Sequence, residues 1–141
     1  MSGFKMYKTK TLNMIVDKDE LSSWQQMSDI LCMNVYEYVR KCTGAHTTML
    51  NANFFETIGS KEEMEKYYKE NKLREKDSNG IAPEKQVHFD LWLTPKDYKK
   101  YKAMADILYL DLSEYIRRCA IAHTKILEMN SFNTIKRNSQ K

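Results

Sequence analysis

The hexapeptide Glu37–Cys42, "EYVRKC", returns as "EYIRRC" at Glu114–Cys119, 77 positions further on. Sliding the chain on itself by that offset lays residues 8–50 over residues 85–127 without a gap. Asp29-Ile30-Leu31 falls on Asp106-Ile107-Leu108, Met27 on Met104, and Ala45-His46-Thr47 on Ala122-His123-Thr124. Where identity lapses, chemical class holds: Trp24 lies over Tyr101, Val39 over Ile116 and Lys41 over Arg118. A short unit written twice leaves an apolar face that neither copy can bury alone, so each copy is expected to pack on the other.

Each copy reads as strand, helix, helix. In the second, Val87, Phe89, Leu91 and Leu93 alternate with His88, Asp90 and Trp92, the period of a half-buried strand. In the first, Leu12, Met14 and Val16 share one face, and Thr11, Asn13 and Ile15 the other. Thr94-Pro95 marks the start of a helix in copy two, a capping hydroxyl followed by proline at the first helical position. Asp17 takes the cap in copy one, with Glu20 three residues on as a capping box. Apolar residues then recur at helical spacing: Leu21, Trp24, Met27, Leu31, and Tyr98, Tyr101, Met104, Leu108. After a short turn, Asn34 with Glu37, and Asp111 with Glu114, open a second helix. Its buried stripe is expected at Val35, Val39, Cys42, His46 and at Leu112, Ile116, Cys119, His123.

This order, together with "LSEYIRR" at the start of the last helix, resembles the ribbon-helix-helix family of DNA-binding proteins. The likeness runs along "FDLWLTPKDYKKYKAMADILYLDLSEYIRRCAIA" (89–122) and is carried in copy one by "NVYEYVRKC". Members of that family dimerise, and each partner gives one strand to a two-stranded antiparallel ribbon. The resemblance therefore implies a mainly α chain with one such ribbon, a tandem ribbon-helix-helix that forms an intramolecular pseudo-dimer. The expected divisions are a first repeat at 8–50, a connector at 51–84 with a charged helix at about 60–76, a second repeat at 85–127 and a basic polar tail at 128–141. The connector helix opens with Ser60 and Glu63, and Met64, Tyr67, Tyr68 and Leu73 are its candidate docking residues. The tail is polar enough to be expected disordered.

A two-stranded ribbon fits the major groove of B-DNA, and its outer side chains then reach base edges. By alternation, that row comprises Thr9, Thr11, Asn13 and Ile15 from the first strand and Gln86, His88, Asp90 and Trp92 from the second. Asn and Gln pair bidentately with adenine, and apolar groups pack on the thymine methyl. Lys8, Lys10 and Lys85 stand at the strand entrances, near expected phosphates. The resemblance adds a second phosphate contact: the backbone amides of Val35, Tyr36, Leu112 and Ser113 at the second-helix starts, where free N–H groups and the helix dipole attract anions. The Ser113 hydroxyl extends it. This sequence departs from the family at three places. Ile15 and Trp92 stand where the ribbon usually carries Arg or Lys. Asp90 repels phosphate, although it accepts from a cytosine amine. Cys32 and Tyr109 occupy the turn where Gly is common.

Other classes are constrained by what the chain carries. Its 141 residues and formal charge of +4 permit nucleic acid without demanding it. The connector is net acidic, whereas copy two and the tail are basic. No apolar run is long enough to span a bilayer and the opening "MSGFKMYKTK" lacks a signal-peptide core, so a soluble, cytoplasmic protein without membrane partners is expected, and the resemblance implies a prokaryotic or mobile-element origin. Three cysteines do not make a disulfide scaffold. Cys42 with His46, and Cys119 with His123, are i,i+4 pairs that could ligate zinc together, but small buried thiols explain them more simply. No phosphate loop, metalloprotease motif or nucleophile set is present, and neither an enzyme nor a cofactor is expected.

The expected partner is double-stranded DNA, bound by a single-chain pseudo-dimer that is free to pair with further chains on the site. The stretch "TPKDYKKYKAMADILYLDLSEYIRR" (94–118) is similar to accessory proteins of plasmid mobilisation and conjugation. These bind near a transfer origin in a relaxosome and assist a relaxase or other DNA-processing protein. A transcriptional regulator repressing a small operon, and a protein-interaction module that has lost base readout, remain the alternatives.

Overall fold

The computed structural model describes residues 9–58, 62, 63, 66 and 81–139. Strand β1 (Lys10–Asp17) leads into helices α1 (Lys18–Ile30) and α2 (Val35–Ile58). A single 3-10 turn (Pro83–Lys85) then precedes β2 (Gln86–Leu93), α3 (Pro95–Ile107) and α4 (Leu112–Ser139). Among the described residues the chain is thus mostly helical, with one two-stranded antiparallel sheet. No helix among them is long and apolar enough to cross a membrane.

The two strands, distant in sequence, pair along their whole length. Asn13 faces Asp90, Thr11 faces Trp92 and Ile15 faces His88. The ladder is centred on Asn13 and Asp90, two residues that the 77-residue offset makes equivalent. Alternation sends Met14, Val16, Phe89, Leu91 and Leu93 inward, all buried, with Leu12 and Val87 packed beside them. One face of the ribbon is therefore core, and the other faces solvent.

The helices complete the core from below. Trp24 and Met27 of α1, Tyr101 and Met104 of α3, Val39 and Cys42 of α2, and Ile116 and Cys119 of α4 are buried in one cluster with the strand residues. Trp24 meets Phe89 edge to face, with ring centroids 5.9 Å apart. Tyr38 of α2 and Thr124 of α4 share a hydrogen bond of 2.6 Å, and Thr47 of α2 and Tyr115 of α4 share another of 2.6 Å. The offset of 77 turns the first pair into the second. Because 38 meets 124 while 47 meets 115, α2 and α4 run antiparallel. Gly44 lets the Tyr101 hydroxyl approach α2; a Cβ there would lie 3.2 Å from that oxygen.

Helix starts follow the expected caps in part. The Asp17 carboxylate accepts from the amide of Asp19 at 2.7 Å, and Thr94 Oγ1 accepts from that of Asp97 at 3.1 Å. Asn34 Oδ1 accepts from the amide of Glu37 at 2.8 Å. The expected capping box of Asp17 and Glu20 is not closed, because Arg117 takes the Glu20 carboxylate at 2.8 and 3.0 Å. The first helix of each half, α1 and α3, ends in the same way. Cys32 N–H donates to Asp29 and Met33 N–H to Ser28; Tyr109 N–H donates to Asp106 and Leu110 N–H to Ala105. This is the double bond of a Schellman turn, whose pivotal residue is left-handed. Cys32 and Tyr109 accordingly both have φ of 58°.

Helix α2 runs to Ile58, beyond residue 50, the expected end of the first repeat. Two expectations are corrected. The segment from 129, expected to be disordered, is helical to Ser139. Neither proline nor glycine interrupts the chain after Pro95, so no residue there forces the last helix to end. Leu31, counted in the buried stripe of α1, is exposed because it is already the C-cap. Of the connector helix, residues 62, 63 and 66 are helical; Ser60, Met64, Tyr67, Tyr68 and Leu73 lie outside the described residues, as does Lys8.

Candidate nucleic-acid interface

The outward row of the ribbon is the surface that alternation predicts. Thr9, Thr11, Asn13, Gln86, His88, Asp90 and Trp92 are exposed and Ile15 is half-buried. Eight paired residues at about 3.4 Å each make a ridge of roughly 27 Å. Its centre is polar, with Asn13 beside Asp90. Towards one end stand Ile15 and His88; towards the other, Thr11 and Trp92. Gln86 is turned back, its amide nitrogen donating to the Ile81 carbonyl at 3.0 Å.

The cations expected at phosphates are placed differently from one another. Lys10 and Lys85 lie at opposite ends of the ridge, since each begins or precedes one of two antiparallel strands. Lys10 is exposed, its ammonium 5.4 Å from the centre of the Tyr98 ring. Lys85 is paired with Asp19 at 3.3 Å, and this pair raises its proton affinity. Both side chains of that pair are open to water, so the pairing is weak and exchangeable.

The starts of the second helices flank the ribbon. The Tyr36 ring stacks on Phe89 with centroids 4.8 Å apart, tying the first turn of α2 to β2. Val35 is half-buried, and Leu112 is a core side chain, so only the backbone of Leu112 is available to an anion. Ser113 is partly exposed. The first amides of any helix lack an intrahelical acceptor.

One candidate residue, Arg40, was not legible as such in the repeat. It lies one turn beyond Tyr36 on α2, which puts it on the same face. Its guanidinium carbon sits 4.2 Å from the centre of the Trp92 ring, and Nη1 donates to the Trp92 carbonyl at 3.5 Å. Burial lowers the proton affinity of this group, while Glu37 and Asp97 act to raise it. The equivalent residue, Arg117, is locked. It holds Glu20 bidentately, and Nη1 reaches both oxygens of Glu114 at 3.0 and 3.1 Å. Burial opposes its charge, but Glu20 and Glu114 outweigh burial and hold it firmly protonated. Arg118 also donates to Glu114, at 2.8 Å, so a buried carboxylate is fully engaged.

Among the described residues no group of three or more His, Cys, Asp or Glu side chains is gathered as a metal site. Cys42 and Cys119 are buried thiols whose pKa values burial pushes up to about 11 and about 12. Burial and the neighbouring His123 both lower the proton affinity of His46.

Compared with family models, with curated proteins and with solved structures, the chain matches none of them.

Proposed function

We propose that the chain is a tandem ribbon-helix-helix protein, an intramolecular pseudo-dimer that binds double-stranded DNA by laying its β-ribbon in the major groove. The register carries this reading. A ribbon assembled from two copies of one unit must pair at equivalent positions, and Asn13 opposite Asp90 meets that condition. The matched turns at Cys32 and Tyr109, and the matched Tyr–Thr bonds between α2 and α4, support it independently. The solvent face of the ridge offers Thr11, Asn13 and His88 to base edges. The amides of Val35, Tyr36, Leu112 and Ser113 set the ridge on the phosphates. The role proposed is that of an accessory factor in plasmid or mobile-element transfer, assisting a relaxase.

The exposed Trp92 and the absence of any Lys or Arg on the outward ladder row favour a second reading, in which this face meets a protein. Fluorescence anisotropy on duplex from the flanking genomic DNA, against random duplex and across a salt series, separates the two. Site-dependent binding is expected. Salt-sensitive binding without site preference assigns an architectural role. No binding at low salt rejects the DNA reading in favour of a protein partner. A site within a transfer origin supports the accessory role, and one overlapping the chain's own promoter makes it a repressor.

A further inference from the structure

The two ends of the ribbon are not equivalent, although the repeat makes them so in position. At the end of β1, the first residues of α1 and its cap are Asp17, Lys18, Asp19 and Glu20, followed by Leu21, Ser22 and Ser23. Acid outweighs base there, and the nearby turn adds Glu84 and Lys85, the latter paired with Asp19. At the end of β2 the corresponding residues are Thr94, Pro95, Lys96, Asp97, Tyr98, Lys99 and Lys100, where base outweighs acid. Because the strands are antiparallel, these two helix starts lie at opposite ends of the ridge. Lys96, Lys99 and Lys100 are exposed, and Lys10 stands at the same end.

The paired arginines sharpen the contrast. Glu20 is long enough to clamp Arg117 beneath the acidic end. Its equivalent is Asp97, one methylene shorter, and no clamp forms on Arg40. Arg40 instead lies on the indole of Trp92, itself 46% exposed on the outward row and opposite Thr11. A guanidinium held by stacking and one long hydrogen bond is pre-positioned yet released at small cost.

We infer that the chain engages duplex DNA from one end, with Arg40 on Trp92 as the phosphate anchor beside Lys10, Lys96 and Lys99, while the Asp17–Glu20 end makes no net gain from the backbone. This rests on the DNA reading above and deepens it. Arg40 leaves or tilts from the indole to meet a phosphate oxygen, and Trp92 packs against the bases beneath. A site bound in this way has a direction, which an end-to-end symmetric ribbon does not impose.

The test uses the full chain and the duplex that it binds best, with anisotropy read across a salt series. Arg40→Gln is expected to weaken binding about tenfold and reduce the salt slope by about one phosphate contact, roughly 0.9. Lys18→Gln, at the opposite end and unlike Lys85 not paired with Asp19, is expected to stay within about twofold of wild type with an unchanged slope. Arg40→Lys keeps the charge without the planar stack; it is expected to retain the slope and lose affinity. Trp92 gives a second readout, because the only other tryptophan, Trp24, is 1% exposed. Its emission is expected to change on addition of duplex, and Trp92→Phe to abolish the change. Wild-type slope and affinity in Arg40→Gln, or an equal loss in Lys18→Gln, overturns the one-ended anchor while leaving DNA binding intact. A wild-type chain that binds no duplex at low salt, with Trp92 emission unmoved, removes the DNA reading itself.

Discussion

Two residues hold backbone angles that side chains disfavour. Cys32 and Tyr109 both sit at φ of 58°, where glycine is at ease. The sequence shows only that glycine is missing there; that the turn keeps its left-handed geometry regardless depends on the two Schellman bonds that close it. The left-handed conformation costs a non-glycine residue about 1–2 kcal/mol, and glycine returns some of that through a freer unfolded chain. Cys32 is exposed. Cys32→Gly is therefore expected to stabilise the fold by about 0.5–1 kcal/mol, read as a rise in the denaturant midpoint. His46 makes a second prediction at this scale. Its proton affinity is lowered in the fold by burial and by His123. The unfolded chain then takes up the proton first as the pH falls, so stability present above the ordinary histidine pKa of about 6.5 is lost on acidification below it. Thermal unfolding between pH 7.5 and 5.5 is expected to show this loss, and His46→Gln to reduce it.

The strands and the order of elements were readable because each rests on a local rule: alternation for β1 and β2, caps for the helix starts. The helix ends were not. Ile58 and Ser139 end α2 and α4 well past the last residues of the repeat; Gly59 follows the first of these, but no glycine or proline marks the second. Arg40 escaped for another reason. Its twin Arg117 has the same place in the repeat, and two differences send them apart: Glu20 against the shorter Asp97, and Ile15 against the Trp92 on which Arg40 lies. Between α2 and α4, the Tyr38–Thr124 and Tyr115–Thr47 bonds are buried. Burial raises the pKa of both tyrosines, so each phenol stays neutral at physiological pH. Tyr38→Phe leaves the buried Thr124 hydroxyl without that partner, at an expected cost of about 1–3 kcal/mol. Tyr115→Phe is expected to cost the same and the two to add, as chemical denaturation of the single and double variants will check. On the ribbon, Asn13→Ala is expected to weaken specific binding by about 1–3 kcal/mol and leave binding to random duplex nearly intact. Equal losses on both would show that Asn13 does not read bases.

At the scale of the molecule, the sheet closes within one chain. No second-order step is then needed to make the ribbon. The unfolding midpoint is expected to stay constant over about a hundredfold range of protein concentration, where a ribbon shared between chains shifts with mass action. A midpoint that climbs with concentration would assign the ladder to exchanged strands.

The wide separation of β1 and β2 along the chain also shapes how the molecule is made. β1 begins at Lys10 and, among the described residues, its one sheet partner begins at Gln86. At translation rates of roughly 5–20 residues per second, the first strand leaves the ribosome several seconds before anything exists for it to pair with. During that wait Met14 and Val16, sealed in the finished core, have no sheet to close over them. The first half is thus a nascent chain with an open edge, and its safekeeping falls to its own helices and to chaperones until β2 has been made.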